Sequence, residues 1–241
     1  MSEPSGLLRF FFVLALATIA HCLWMRRFAW RSHYDRAATL SVATGGLAIL
    51  LMTPMGTRIG IVLHWSTGLW HVHYLLAHWL LLAGGACAVA NFLTRLGDDH
   101  AVQAFFRVYV ELPLALTLPL MLAAFALSRV NHEPADFLLS PSDAWLKAYW
   151  IIVCAMGLRL IVCALRCLSI LRREKRHRVV ADIYILGCLA GLVVIATQLS
   201  ALFVPKLWGS MAPLIAGCVT VAIFACSATY SWHRRLNRSV E

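Results

Sequence analysis

Long apolar runs separated by short polar connectors set the pattern of this chain. Seven such runs read as helices, at about 7–25, 37–53, 69–93, 104–127, 144–171, 179–204 and 207–232. A hydrocarbon core about 30 Å thick is crossed by roughly 20 apolar residues wound as a helix, and short spans reach down to about 17. The pattern therefore predicts an all-α, polytopic transmembrane bundle of seven helices, forming a single domain over 1–241. The piece from Ile59 to Trp70 is too short to cross, and its aromatic and histidine content predicts an interfacial or re-entrant segment, with Trp65 and Trp70 at the headgroup boundary. Pro113 and Pro119 predict a bend in the fourth span, because each removes a backbone donor from the helical ladder. The longest connector runs from Ser128 to Asp143 and carries Asn131, His132, Glu133, Pro134, Asp136 and Pro141. No inverted repeat relates the first three spans to the last three in proline, glycine or charge placement.

Composition agrees with a membrane setting. Hydrophobic residues fill 61% of the 241 positions and charged residues only 13%, against about 45–50% and about 25% in soluble domains. The formal charge of +10 raises nucleic acid as a partner. Its arginines and lysines cluster beside helix ends instead of forming one continuous face, so membrane lipids are the expected partner and nucleic acid is not. All eight cysteines lie within apolar runs, which points to soft packing residues and away from a disulfide framework.

The placement of the bases adds orientation. Arg26, Arg27, Arg31 and Arg36 follow the first span, Arg172, Arg173, Lys175, Arg176 and Arg178 follow the fifth, and Arg234, Arg235 and Arg238 follow the seventh. Connectors that retain arginine and lysine stay cytoplasmic. Alternation over seven spans thus predicts the amino terminus outside, the carboxyl terminus inside, and a home in the plasma membrane. The first span, with no base before it but Arg9, reads as an anchor and not as a cleaved signal peptide.

Candidate chemistry lies with polar groups inside the spans, because a charge at the bilayer centre costs at least ~2.5–3.5 kcal/mol and persists only when paired or used. Arg159 sits near the middle of the fifth span, with Arg166 two turns further along. Glu111 lies at a matching depth on the fourth span, so the reading expects a Glu111 to Arg166 pair, or a local Arg107 to Glu111 pair, inside the bundle. His64, His71, His73 and His78 form a second group, in which His71 and His78 are seven apart and share a helical face. Without an HExxH motif or a matching histidine on another span, they are expected to be solvated at the interface and to bind no metal or other cofactor. Gly187 and Gly191 have the small-xxx-small spacing that permits close helix contact. No nucleophile with a base at fixed spacing and no phosphate-binding loop is present in the spans, so an enzyme is not expected.

Three stretches carry a resemblance: Arg31, Ser32, His33, Tyr34, Asp35, Arg36, Ala37 and Ala38; the histidine-bearing third span; and Asn131, His132, Glu133, Pro134, Ala135, Asp136 and Phe137. With seven spans of this polarity, the chain resembles a group of actinobacterial and actinophage integral membrane proteins of uncharacterised function, some carrying a transporter label only. Members of that group often continue into a cytosolic domain, whereas this chain stops at Glu241. The resemblance implies no functional residues, since the group offers none to map. Two classes of function follow from the sequence. One is small-solute transport or permeation, marked by a cavity reaching Arg159. The other is a scaffold, sensor or immunity-type protein acting on a membrane protein partner or on a second copy of itself, marked by a closed core and an outward contact surface.

Overall fold

The computed structural model describes residues 6–97, 100–132, 137, 143–204 and 211–238. Eight helices account for nearly all of them: α1 Gly6–Met25, α2 His33–Leu51, α3 Pro54–Thr67, α4 Val72–Leu96, α5 His100–Leu127, α6 Ala144–Leu171, α7 Arg178–Phe203 and α8 Ala212–Arg238. No strand occurs among the described residues. Six helices (α1, α4, α5, α6, α7 and α8) are each long and apolar enough to cross a membrane unbroken, and α2 with α3 meets the same test as a pair bent by 79°. The chain is a multi-pass helical membrane protein.

The bent pair follows from local sequence. Pro54 occupies the first turn of α3, where its missing N–H costs nothing and its fixed φ favours a new helix. Gly56 lets the chain fold back, because a Cβ there would lie 1.8 Å from the Leu51 carbonyl oxygen. Gly68 closes α3 in the left-handed conformation, φ 73°, donating its N–H to His64 O. The segment read as interfacial from Ile59 to Trp70 is thus mostly helix, nearly perpendicular to α2, with Met55, Val62 and Trp65 on its exposed side.

Helix α1 packs on α2 and α8, α2 on α4, α4 on α6, α6 on α7, and α7 on α8, so six helices form a closed ring. Helix α5 lies outside it, mainly against α6. Two buried apolar cores fill opposite sides of the ring. The larger joins α4, α5, α6 and α7 around Phe92, Phe125, Tyr149 and Leu168. The smaller joins α1, α2 and α8 around Phe12, Ile19, Val42 and Cys218. The expected close contact at Gly187 and Gly191 is internal: a Cβ at Gly187 would come within 2.8 Å of the Phe224 ring on α8, and one at Gly191 within 3.0 Å of Ile161 on α6.

The arginine-rich end of the ring is tied by a buried node. Arg26, 1% exposed, donates from Nε to Thr39 Oγ1 (3.1 Å), from Nη1 to Ala228 O (2.8 Å) and from Nη2 to Asp35 O (3.0 Å). Its Nη2 also lies 3.8 Å from the Asp35 carboxylate, which Arg235 of α8 engages from the other side. Trp232 places its ring 5.5 Å from the Arg26 guanidinium. One cation thereby holds α1, α2 and α8 together. Arg95 of α4 reaches α8 at the same end through Ser231 Oγ, at 3.2 Å.

At the opposite end Asp143 caps α6. Its carboxylate accepts from the Leu146 N–H (2.6 Å) and also from the Arg129 N–H (2.6 Å) and Ser128 Oγ (3.1 Å), which fastens the end of α5 to the start of α6. Burial alone would push its carboxyl upward, but the hydrogen bonds from Leu146, Arg129, Ser128 and Trp145 prevail and hold it below the usual carboxylate range. A depressed carboxyl contributes stability that is present above its unfolded value, about 3.9, and disappears as pH falls through the lower folded value. Amide exchange at Arg129 and Leu146, corrected for intrinsic rate, is therefore expected to stay flat from neutral pH to about pH 5 and to rise below about pH 4. Asp143→Ala should exchange fast at every pH; protection that survives that substitution would remove Asp143 from the role.

Candidate functional site

Between the two cores the ring encloses a cavity of about 330 Å³. Its wall along α6 runs from Leu146 to Ile161, fifteen residues or about 22 Å at the helical rise. Glycines border it in two ways: Gly45, Gly85 and Gly191 are closely packed, a Cβ on each coming within 3.0–3.1 Å of a neighbouring side chain, whereas a Cβ on Gly217 would meet nothing within 4 Å. The rest of the wall is mostly aliphatic and aromatic, including Val42 and Ile49 of α2, Leu82 of α4, Val153 of α6 and Val194 of α7. No aspartate, glutamate, lysine or arginine lines it among the described residues.

Two of its polar side chains, His78 and Gln198, lie toward one end, whereas Ser41 of α2 and Thr220 of α8 line it elsewhere. His78 borders the cavity from α4, and its Nδ1 lies 2.9 Å from Tyr149 Oη on α6. The Trp150 ring meets His78 edge-on at 4.9 Å. Phe137, 1% exposed, stacks on Tyr74 at 5.2 Å and stands 5.8 Å from Trp150, so a connector residue roofs the same end. Gln198 of α7 also borders the cavity.

The remaining histidines stand behind this roof. His71 holds a left-handed backbone, φ 62°, at the start of α4, and its ring lies 5.8 Å from Phe137. His73 packs directly on Gly60 of α3, where a Cβ would come within 2.3 Å of its Nδ1. His64 stacks on Trp70 at 3.8 Å. The expectation of solvated interface histidines is corrected by this packing: His73 and His78 are buried, at 4% and 6% exposure. His71 and His78 do not act from one face, because His71 precedes the helix while His78 faces the ring interior. Among the described residues no group of three or more histidine, cysteine or acidic side chains is placed to hold a metal ion.

The charged candidates lie elsewhere. Arg159, Arg166 and Glu111 are all exposed on the outer surface of α5 and α6, and none borders the cavity. Neither expected ion pair forms: Glu111 makes no salt bridge with Arg166 or Arg107. Arg159 instead donates from Nε to Tyr109 O at 2.8 Å, with its guanidinium 5.7 Å from the Tyr109 ring. The reason is backbone chemistry. Pro113 has no N–H to offer the carbonyl four residues back, which is Tyr109, and the helix widens into a π turn over Arg107–Glu111 just before it. Arg159 supplies the missing donor from the neighbouring helix.

The cavity walls and the partners of His78, namely Tyr149 and Trp150, with Phe137 beside them, had no sequence signal separating them from an ordinary aromatic belt. Gly157 and Gly217 were equally silent, since a glycine in an apolar span marks packing as readily as space. Comparisons with protein families, with curated proteins and with solved structures found no match for this chain.

Proposed function

We propose that this protein binds an elongated, lipid-like molecule inside its helical ring and handles it as a solute, by binding or passage and not by chemistry. The carrying observation is a cavity of about 330 Å³, within the range of ligand sites at about 300–1,000 Å³, whose walls are mostly apolar over about 22 Å and carry the imidazole of His78 and the amide of Gln198 toward one end. A hydrated ion or sugar would lose its water against such walls without replacement. An acyl or isoprenoid chain loses nothing there relative to lipid, and its head group finds His78 and Gln198. Absence of a carboxylate from the described wall supports binding over catalysis. We further propose that the histidine end faces outward and the arginine end faces the cytoplasm of a plasma-membrane protein, on the strength of Arg26, Arg95, Arg172 and Arg235 at helix ends.

A long-chain fatty acid brominated close to its head group tests the reading, because bromine quenches tryptophan on contact and Trp150 borders the cavity beside His78. Quenching by this probe is expected to saturate, and to fall by most of its Trp150-dependent part in Gly217→Phe, whose Cβ starts in open space beside the cavity. The Trp150→Phe variant identifies that part. Quenching that never saturates, or that is indifferent to Gly217→Phe, would sink the proposal.

A further inference from the structure

We propose that the outer face of α5 and α6 is the interface of a parallel homodimer in which Glu111 of each copy meets Arg159 of the other. Helix α5 stands outside the ring and contributes nothing to the cavity, so this face has no part in enclosing the ligand. Both charges lie deep. Counted from the arginine-rich ends, His100 and Leu171, Glu111 is about 16 Å and Arg159 about 18 Å along its helix, close to the middle of a hydrocarbon core about 30 Å thick. The Arg159 to Tyr109 hydrogen bond fixes the two helices at that common level independently, since Tyr109 is two residues from Glu111.

Both side chains are exposed, and within one chain neither has an ion-pair partner among the described residues. Arg159 spends Nε on a carbonyl and meets no carboxylate with its remaining N–H groups. Exposed residues next to them along the two helices, Leu112, Leu158 and Val162, are apolar. Arg107 and Arg166 differ in kind: they lie nearer the arginine-rich end, where a long side chain reaches headgroups, and so require no partner.

Symmetry selects the occupant. A two-fold axis along the membrane normal keeps every residue at its own depth, and an isologous interface repeats each contact twice. A face carrying one cation and one anion at equal depth on adjacent helices is then complementary to itself. Headgroups of anionic lipids sit at the boundary, too far out to meet a guanidinium at the midplane.

The test uses the full chain in phosphatidylcholine vesicles, with donor and acceptor dyes on an appended carboxyl-terminal tag and energy transfer followed as protein is diluted in lipid. Wild-type copies are expected to associate. Glu111→Arg and Arg159→Glu alone should each shift the midpoint to higher protein density by at least about tenfold, the scale of a broken buried charge pair. An equimolar mixture of the two variants should recover association, because each contact again sets a cation against an anion. A wild-type chain that stays monomeric across the range overturns the proposal, as does either reversal associating like the wild type, or a helical, monodisperse mixture that fails to recover. Where Arg159→Glu does not accumulate, Arg159→Gln keeps a donor for Tyr109 O, and association unchanged in that variant also overturns it.

Discussion

Arg26→Leu is expected to lower stability by about 3–5 kcal/mol, the cost of removing one partner from a buried ion pair. The side chain is 1% exposed and satisfies three acceptors on two helices, Thr39 Oγ1 and Asp35 O of α2 and Ala228 O of α8, besides facing the Asp35 carboxylate. Leucine fills the space but leaves those acceptors unmet, and a carboxylate 5% exposed with Arg235 and the Ser32 hydroxyl to answer it. Asp35→Leu should cost a similar amount, by stranding the guanidinium. The double variant should recover a substantial part of the loss, because apolar replacement of a whole buried pair is far cheaper than breaking it. Arg235→Ala should lose no more than about 1 kcal/mol, since that side chain is half exposed and screened. Unfolding in mixed micelles, followed by helical ellipticity, measures all four; two single variants that add without recovery in the double would show that Arg26 and Asp35 act independently.

That node was partly visible in the sequence, as one acid inside the basic stretch from Arg26 to Arg36, but counting bases for orientation passed over it. Helix existence was legible for a simple reason: lipid demands long apolar runs, and the runs at 72–96, 144–171 and 178–203 advertise themselves. Helix orientation about its own axis was not legible. In water an amphipathic stripe tells inside from outside, whereas in a bilayer both the core and the surroundings are apolar and the stripe fades. Arg159 shows the consequence. A charge in the middle of an apolar helix suggests an interior position, whereas the structure places it outward against a carbonyl that Pro113 leaves without its helical donor. His78 shows the converse: a histidine near a helix end reads as interfacial until Tyr149 and Trp150 are seen to enclose it. A cavity is harder still, because a glycine that packs a neighbour closely, such as Gly191, and one that leaves open space, such as Gly217, look alike in a sequence. The site therefore had to be found in three dimensions, although each residue forming it was plain in one.

Phe137→Ala is expected to cost about 3–5 kcal/mol, as for a large aromatic removed from a packed site. The ring belongs to a connector, not to a spanning helix, so its alternative environment is the wet interface and the full transfer free energy from water applies. It contacts Tyr74 (5.2 Å), His71 and Trp150 (both 5.8 Å), Tyr149 (6.0 Å) and Phe125 (6.1 Å), drawing together α4, α5 and α6 at the histidine end. Aromatic pairs of this kind add about 0.5–1.5 kcal/mol each beyond area, so leucine in its place should restore only part of the loss. The same ring borders the cavity, which gives the substitution a second, separable effect. Alanine removes the roof above His78 while leaving the walls from Val42 to Val221 intact. A brominated fatty acid bound in the cavity should then leave faster, shortening the decay of Trp150 quenching in a dilution experiment, while its maximal quenching stays close to the wild-type value. Leucine should restore the slow release more fully than the stability, because closing an opening needs volume and stacking needs a ring. A Phe137→Ala protein with unchanged release kinetics would place the ligand's exit away from the histidine end, and a loss below about 1 kcal/mol would show that the aromatic cluster holds without its central ring.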